Sequence, residues 1–383
     1  MNGCGQLSRN HECLAFKTKR GFVDFYRSVD MKITKQRFGT LSDGTKVTLY
    51  TIQNKRMAFS VTDYGCTITS IVLTDSSGSC TDVVLGYSTL DGYINGNCFF
   101  GAFIGRFANR IGKASFTYDG TKYQLDKNDG TNTLHGGFTG WDKKVWHAKT
   151  VLTKTEGGVK FTRLSRDGEQ GFPGNMKVEV TYLLDDTNNI TCRYSAVTDK
   201  ACPVNFTNHS YFNLAGGGTI ENHLLKLNCD STLDIDSKLI PTGKLPGVKD
   251  TPFDFTTDKK IGKDIKDVGN GYDHCYVTQA YNPENPHAGL PVSEENMVRV
   301  AELTDPVSGR CMTVDSNMEG VQLYTGNWIG GKIGKNGREY EKHGAVCLET
   351  QCFPDTPNKK EFPSCVLMPG EKYKAVTVYG FKF

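Results

Sequence analysis

The chain lacks the features that mark several large classes of protein. No run of about 20 consecutive apolar residues is present, which excludes a transmembrane helix. Forty-five basic residues against 42 acidic ones leave a net charge of +3, which is too weak to indicate a nucleic-acid partner. The Walker A loop, the HExxH helix, the G-x-S-x-G nucleophile elbow and the EF-hand loop are all missing. We therefore expect no membrane partner and, if the chain is an enzyme, acid–base side chains working without a metal or a cofactor.

Closely spaced cysteine pairs are missing as well, although the chain contains many cysteines. Thirteen cysteines run from Cys4 to Cys365, yet no two of them form a C-x-x-C pair. Such pairs are typical of zinc ribbons and redox motifs, and a secreted disulfide scaffold would be shorter and denser in cysteine. The first thirty residues contain no apolar core long enough for a signal peptide. We therefore expect free thiols and a cytoplasmic protein.

Long segments with the 3.6-residue apolar period of a helix are also missing. Instead, apolar and polar residues alternate with a period of two from Phe38 onward, and Gly, Asn or Pro separate the alternating segments. Asp119-Gly120, between two such segments, is the strongest short hairpin signal. The predicted hairpins pair residues 115–118 with 122–125, 177–182 with 190–194, and 298–303 with 310–314.

The alternation predicts an all-β protein, built as a large antiparallel β-sandwich. A length of 383 residues by itself suggests two or three domains. The unbroken period of two favours a single domain over residues 31–383 instead. Residues 1–30 have no clear period, and we interpret them as an N-terminal extension, with an amphipathic targeting helix as the alternative.

Polar side chains are denser in six stretches than ordinary turns require. These stretches are residues 105–111, 132–137 followed by Trp141, 205–214, 271–274, 320–327 and 345–351. Amides, imidazoles, a guanidinium and carboxylates without a metal motif suit a ligand covered in hydroxyl groups, because a sugar needs many directional hydrogen bonds. The small net charge fits an uncharged sugar.

Three residues in these stretches could move protons. Glu349 directly follows four apolar residues of a predicted buried strand, and burial would raise its pKa towards that of a general base. The alternative is a solvent-exposed glutamate or one paired with arginine. His209 lies among Asn, Thr, Ser and Tyr and could transfer protons near neutrality; it could equally be a core histidine. His135, which precedes two glycines, could face a ligand or lie in a turn.

Five further residues are candidates for contacting hydroxyl groups, and each has a structural alternative. Arg110 and Asn109 could donate hydrogen bonds or belong to an ion pair. Asp273 could accept them or cap a turn. Gln322 could equally be a solvated strand residue, and Trp141 could be a platform for a sugar face or a core aromatic.

Seven motifs together resemble the aldose 1-epimerases, and within them the galactose mutarotases, over residues 38–383. In the family's order they are Gly-Arg-Phe-Ala-Asn-Arg-Ile (105–111), Leu-His-Gly-Gly (134–137), Asn-His-Ser-Tyr-Phe-Asn-Leu (208–214), Asp-Ser-Lys-Leu-Ile-Pro-Thr-Gly (236–243), Gly-Tyr-Asp-His (271–274), Gln-Leu-Tyr-Thr-Gly-Asn (322–327) and Leu-Glu-Thr-Gln (348–351). The resemblance implies a galactose mutarotase-like β-sandwich that interconverts the α and β anomers of hexoses such as galactose and glucose.

The resemblance also implies a role for each matching residue. Glu349 stands at the general base, His209 at the general acid and His135 at the second site histidine. The sugar-contacting positions are matched by Asn109, Arg110, Asp273 and Gln322. We expect a monomer or a weak homodimer.

Two other functions stay open from the sequence. A hexose-6-phosphate epimerase on the same scaffold would need extra cations for the phosphate, for which Arg106 and Arg110 are candidates. A non-catalytic sugar-binding protein would be expected to lack the glutamate or the histidine, and both are present.

Overall fold

The computed structural model describes residues 31–282 and 296–383, so the predicted extension over residues 1–30 lies outside the described residues. Regular structure here is almost entirely β. The first strands are β1 (Lys32–Thr40), β2 (Lys46–Gln53), β3 (Met57–Thr62), β4 (Thr67–Thr74), β5 (Cys80–Asp82), β6 (Phe103–Ile104), β7 (Arg110–Ile111), β8 (Ser115–Tyr118), β9 (Thr121–Gln124), β10 (Thr133–Leu134), β11 (His147–Leu152) and β12 (Glu156–Ser165).

The remaining strands follow in the second half of the chain. They are β13 (Met176–Asp185), β14 (Asn189–Thr198), β15 (Cys202–Pro203), β16 (Thr207–Asn208), β17 (Leu224–Leu227), β18 (Lys259–Lys260), β19 (Asp273–Val277), β20 (Val298–Thr304), β21 (Cys311–Ser316), β22 (Gly320–Tyr324), β23 (Cys347–Gln351), β24 (Val366–Leu367) and β25 (Tyr373–Lys382).

The strands form three main antiparallel sheets. Nine strands make the largest, in the order β11-β12-β13-β14-β25-β21-β20-β17-β18. A second sheet runs β1-β2-β3-β4-β5, and a third runs β19-β22-β23. Two-stranded ladders join β6 to β16, β7 to β10, β8 to β9 and β15 to β24. The prediction of an all-β fold with large antiparallel sheets is confirmed.

The three predicted hairpins are present. Strands β8 and β9 are joined by Asp119 and Gly120, whose φ angles of 46° and 73° are those a type I′ turn requires. Strands β13 and β14 pair from Met176 opposite Thr198 to Leu184 opposite Ile190, and β20 pairs with β21. Period-two alternation was therefore sufficient to place these local pairings.

One α-helix interrupts the β pattern among the described residues. Helix α1 (Leu90–Asn95) has six residues, and the Thr89 side chain accepts a hydrogen bond from the Gly92 N–H at its start. It is too short to show a helical period in the sequence. In the described ranges no helix is long and apolar enough to cross a membrane.

The main apolar core lies where the three large sheets meet. Tyr50 of the five-stranded sheet packs edge-to-face on Phe161 of the nine-stranded sheet, with ring centroids 6.3 Å apart. Val321, Leu323 and Leu348 of the three-stranded sheet bury their side chains in the same cluster. That continuity supports the single domain over residues 31–383, which stays a prediction.

Candidate active site

The three-stranded sheet presents an apolar face to the core and a polar face on its other side. Strand residues alternate between faces, and residues opposite each other on neighbouring strands share one. Two rows of side chains therefore cross the polar face: Asp273, Tyr324 and Cys347 in the first, and Cys275, Gln322 and Glu349 in the second. The register places residues from three separate sequence motifs side by side.

His209 reaches this face from a different part of the fold. It follows β16, whose pairing with β6 is extended by the His209 N–H donating to the Ala102 carbonyl. The imidazole stacks on Tyr211, with ring centroids 5.0 Å apart, and lies 5.9 Å from the ring of Phe99. The two aromatic neighbours hold its ring plane in place.

The closest approach of the two candidate catalytic groups is 3.6 Å, between His209 Nε2 and Glu349 Oε1. Both side chains are almost fully buried, with exposed fractions of 6% and 3%. The other carboxylate oxygen, Glu349 Oε2, is buried without a hydrogen-bond partner among the described residues, as is Gln322 Oε1. Buried unpaired oxygens are costly, so these atoms are suited to accept hydrogen bonds from a ligand's hydroxyl groups.

His135 lies beside this pair in a fixed tautomer. His135 directly follows β10 and has a φ of 52°. Gly136 and Gly137 also have positive φ angles, and they turn the chain away from the site. The backbone N–H of Asn109 donates to His135 Nδ1 over 3.2 Å, so the neutral ring carries its proton on Nε2. The rings of His135 and His209 meet edge-to-face at 5.2 Å.

Arg110, Asp273 and Gln322 form a hydrogen-bonded network next to Glu349. Gln322 Nε2 donates to Asp273 Oδ1 over 2.6 Å. Arg110 Nη1 lies 3.7 Å from Asp273 Oδ2, and Arg110 Nε donates to Asp129 over 2.9 Å. The Arg110 and Asp273 side chains are 12% and 19% exposed, so they lie shallower than the catalytic pair.

A cavity of about 340 Å³ brings most of these residues together. Its volume falls within the roughly 300–1,000 Å³ usual for small-molecule pockets. Seven of the eight predicted site residues line it: Asn109, Arg110, His135, His209, Asp273, Gln322 and Glu349. The polar groups therefore converge on one space, as a ligand with several hydroxyl groups would need.

Burial sets the protonation of the catalytic pair. Burial lowers the pKa of His209 to about 4. Burial, and to a smaller extent the charge of Asp273, raises the pKa of Glu349 well above 4.5, while Arg110 acts in the opposite direction. For His135, burial and then the neighbouring His209 and Arg110 lower the pKa well below 6.5. Burial thus disfavours the charged form of each group, and because the two groups are close, a proton held by the pair can reside on either the carboxylate or the imidazole.

Trp141 does not line the cavity, so its prediction as a sugar platform is wrong. The indole is 2% exposed and stacks on Phe103, with ring centroids 5.8 Å apart, inside the main core. Its N–H donates to Glu169 over 3.3 Å, and that carboxylate also pairs with Arg163. The core alternative named for this residue is the one that the structure bears out.

The structure adds aromatic residues that the sequence did not single out. Phe99, Tyr211, Tyr324 and Trp328 line the cavity, and Trp328 keeps 68% of its surface exposed. Phe99 has a φ of 55°, an uncommon conformation for a bulky residue. Phe99 and Trp328 lie outside the seven sequence motifs, because only the tertiary fold brings these two residues to the cavity.

Three possible metal-ligating atoms also meet here. One nitrogen of His209, the thiol sulfur of Cys347 and one oxygen of Glu349 all lie within 4.8 Å of one another. No sequence motif marks this group, because His209 is far from the other two residues along the chain. No disulfide bond joins any of the eleven cysteines in the described ranges.

Comparison with known proteins places this chain among its relatives. The family model described as aldose 1-epimerase matches residues 48–380. Galactose mutarotases from Mus musculus and Homo sapiens are each 41% identical to this chain, over 92% and 91% of it and over 99% and 98% of their own lengths. The aldose 1-epimerase of Escherichia coli K12 is 35% identical over 88% of this chain and 96% of its own.

Solved structures of related proteins have the same fold as this chain. Galactose 1-epimerase from Lactobacillus acidophilus superposes with a TM-score of 0.77 at 28% identity, covering 93% of this chain and 99% of that one. An aldose epimerase homologue from C. elegans gives 0.76 at 27% identity, covering 86% and 96%. The chain therefore belongs to the aldose 1-epimerase family and is an enzyme of the epimerase class.

Proposed function

We propose that this enzyme interconverts the α and β anomers of free hexoses, D-galactose and D-glucose among them. The observation that carries the proposal is the 3.6 Å approach of His209 Nε2 to Glu349 Oε1 at one cavity. A base and an acid that close can serve the anomeric hydroxyl and the ring oxygen, which are bonded to the same carbon. The names of the mammalian relatives support galactose as a substrate.

In the proposed reaction, ring opening starts from the form of the pair in which its proton is on His209. Glu349 then takes the proton of the anomeric hydroxyl while His209 gives its own to the ring oxygen. The C1–O5 bond breaks, and the electron pair of the O1–H bond becomes the second bond of the C1 aldehyde. Rotation about C1–C2 then turns the other aldehyde face towards the ring-closing hydroxyl. Closure with the two roles reversed gives the other anomer and restores both groups, so no net proton is consumed.

The other cavity residues would hold and orient the sugar. The Nε2–H of His135 is the donor left after its Nδ1 has accepted from Asn109, and with Arg110 it would steady the ring-oxygen region. Asp273, fixed by Gln322, would accept hydrogen bonds from distal hydroxyl groups. A site that reads hydroxyl groups in this way discriminates strongly against analogues that lack them.

Each well-positioned proton transfer contributes about 10²–10⁴ in rate. Two such groups and the oriented sugar suffice for a reaction that already proceeds in water, which supports catalysis by side chains without a cofactor. The free buried thiols support a cytoplasmic location.

The hexose-6-phosphate alternative loses one of its two candidate cations. Arg106 is 2% exposed and donates to Ser165 and to the carbonyls of Pro173 and Arg166, which makes it a core residue. Arg110 is already held by Asp129 and Asp273. Lys332 is the remaining cation that lines the cavity in the described part of the chain.

Polarimetry tests the proposal directly. Freshly dissolved α-D-galactose and α-D-glucose should reach anomeric equilibrium much faster with the wild-type protein than in buffer. Glucose 6-phosphate is the comparison substrate, and a higher kcat/KM for it than for glucose would favour the phosphate alternative. Sugar binding without any acceleration would favour the non-catalytic alternative.

A further inference from the structure

The thiol of Cys347 lies next to the catalytic pair, and the proposed reaction does not use it. Its sulfur lies 3.6 Å from His209 Nδ1 and has no other side-chain hydrogen-bond partner among the described residues. Cys347 is fully buried, two positions before Glu349 on β23, so both side chains leave the strand on the same face. Cys347 itself does not line the sugar cavity.

We infer that His209, Cys347 and Glu349 form a binding site for a thiophilic divalent cation such as Zn²⁺, and that the bound cation excludes the sugar. Imidazole nitrogen, thiolate sulfur and carboxylate oxygen are the three donor types that zinc takes in proteins. The inference rests on the proposed function only where it says that the sugar is excluded.

The geometry fits tetrahedral coordination. Bond lengths of about 2.0–2.3 Å put neighbouring ligand atoms of a tetrahedral zinc roughly 3.4–3.6 Å apart. The distance from His209 Nδ1 to Cys347 Sγ is 3.6 Å, and the three donor atoms already lie within 4.8 Å of one another. Glu349 Oε1 is nearest to the other ring nitrogen, Nε2, so the glutamate side chain has to rotate towards Nδ1 for all three donors to meet one cation.

The donor atoms are free to change partners. In the part of the chain that the structure describes, Glu349 Oε2 accepts no hydrogen bond, and His209 contacts only Cys347 and Glu349 through its ring nitrogens. His209 and Glu349 both line the sugar cavity, which gives a cation its route of entry. Binding replaces the thiol proton by the cation.

The soft sulfur also decides which cations bind. Thiolate ligands select zinc and similar metals, whereas Mg²⁺ prefers an all-oxygen, near-octahedral site. We therefore expect micromolar Zn²⁺ to slow mutarotation of galactose, a chelator to restore the rate, and Mg²⁺ at equal concentration to leave it unchanged.

Cys347→Ser is the deciding variant, and Cys98→Ser is its matched control. Cys98 is a thiol that lines the same cavity but lies outside the three-donor group. In Cys347→Ser, the zinc concentration that halves the rate should rise by at least ~10-fold, because even the loss of an outer-shell partner of a metal ligand typically costs that much affinity. The control should keep wild-type sensitivity, with the rate of each variant in zinc measured against its own rate without zinc.

Co²⁺ gives a readout that does not depend on activity. Added to the wild-type protein, it should produce a thiolate-to-cobalt charge-transfer absorption that Cys347→Ser lacks, Cys98→Ser keeps and excess galactose reduces. If serine destabilises the fold, Cys347→Ala answers the same question. Equal zinc sensitivity of the wild-type and Cys347 variants, or a wild-type cobalt spectrum without the thiolate band, would overturn the inference even if the enzyme is a mutarotase. A thiolate band that galactose leaves unchanged would overturn the exclusion of the sugar.

Discussion

His209 Nε2 lies 3.6 Å from Glu349 Oε1, although the two residues come from separate ladders and distant parts of the chain. Strand β23 carries the glutamate on the polar face of the three-stranded sheet, and the end of β16 carries the histidine. Both side chains are almost fully buried, so acid and base lie close together before a sugar arrives. Catalytic groups held in this way need little reorganisation.

Replacement of His209 by asparagine should remove the acid and leave the binding of the sugar largely intact. Asparagine keeps a polar group of similar reach but cannot donate a proton to the ring oxygen. We expect kcat to fall by about 10²–10⁴ with little change in KM. Initial rates over a range of galactose concentrations measure both. A rise in KM alone would show that His209 only binds the sugar.

The pH profile should report the pair rather than an ordinary histidine. Because burial lowers the pKa of His209 to about 4, the pair takes up its second proton only near that pH. With a chelator present, kcat/KM should therefore stay level while the pH falls through 6.5, the ordinary pKa of histidine, and drop as the pH approaches about 4. The alkaline limb should reflect loss of the last proton, which the raised pKa of Glu349 delays. An acidic limb centred near 6.5 would contradict the buried pair.

Asp273→Asn should affect both binding and the base. Loss of a charged acceptor for hydroxyl groups should cost about 1.5–3 kcal/mol in kcat/KM. Because the charge of Asp273 helps to raise the pKa of Glu349, its removal should also move the alkaline limb to lower pH. Asp129→Asn is the matched control, because Asp129 also pairs with Arg110 but does not line the cavity. Equal effects of the two substitutions on KM would argue against direct contact of Asp273 with the sugar.

The two tryptophans should separate stability from binding. Trp141→Ala empties a core position and should lower the free energy of unfolding by about 3–5 kcal/mol, with KM unchanged for the protein that stays folded. Trp328→Ala removes an exposed wall of the cavity and should raise KM with little loss of stability. Urea unfolding and galactose kinetics on both variants make the comparison. A higher KM in Trp141→Ala would restore it as a site residue.

Local patterns predicted much of this fold. Asp119-Gly120 is typical of a two-residue turn, and the alternating residues on either side of it predict a hairpin without information from distant parts of the chain. The same holds for β13 with β14 and for β20 with β21. The order of strands in the large sheets could not be predicted from local patterns. Strand β14 pairs with β25, almost half the chain away, and no local residue pattern specifies that pairing.

The site could be predicted where motif and burial coincide. Glu349 follows an apolar strand, and its burial confirms what the neighbouring residues indicated. Trp141 stands close to a polar motif in sequence, but its ring packs on Phe103, and sequence proximity cannot distinguish the two faces of a loop. Cys347 depends on strand register and Trp328 on a long loop. Only the tertiary structure therefore places Cys347 at the catalytic pair and Trp328 in the wall of the cavity.

The most direct test of the account is mutarotation of fresh α-D-galactose by Glu349→Gln, followed in a polarimeter. Glutamine keeps the size of the side chain and its hydrogen-bonding capacity but cannot take the anomeric proton. We expect a folded protein, checked by its circular dichroism and thermal midpoint, whose kcat is lower than that of the wild type by about 10²–10⁴. A folded Glu349→Gln protein that equilibrates galactose at the wild-type rate would contradict the assignment of Glu349 as the base.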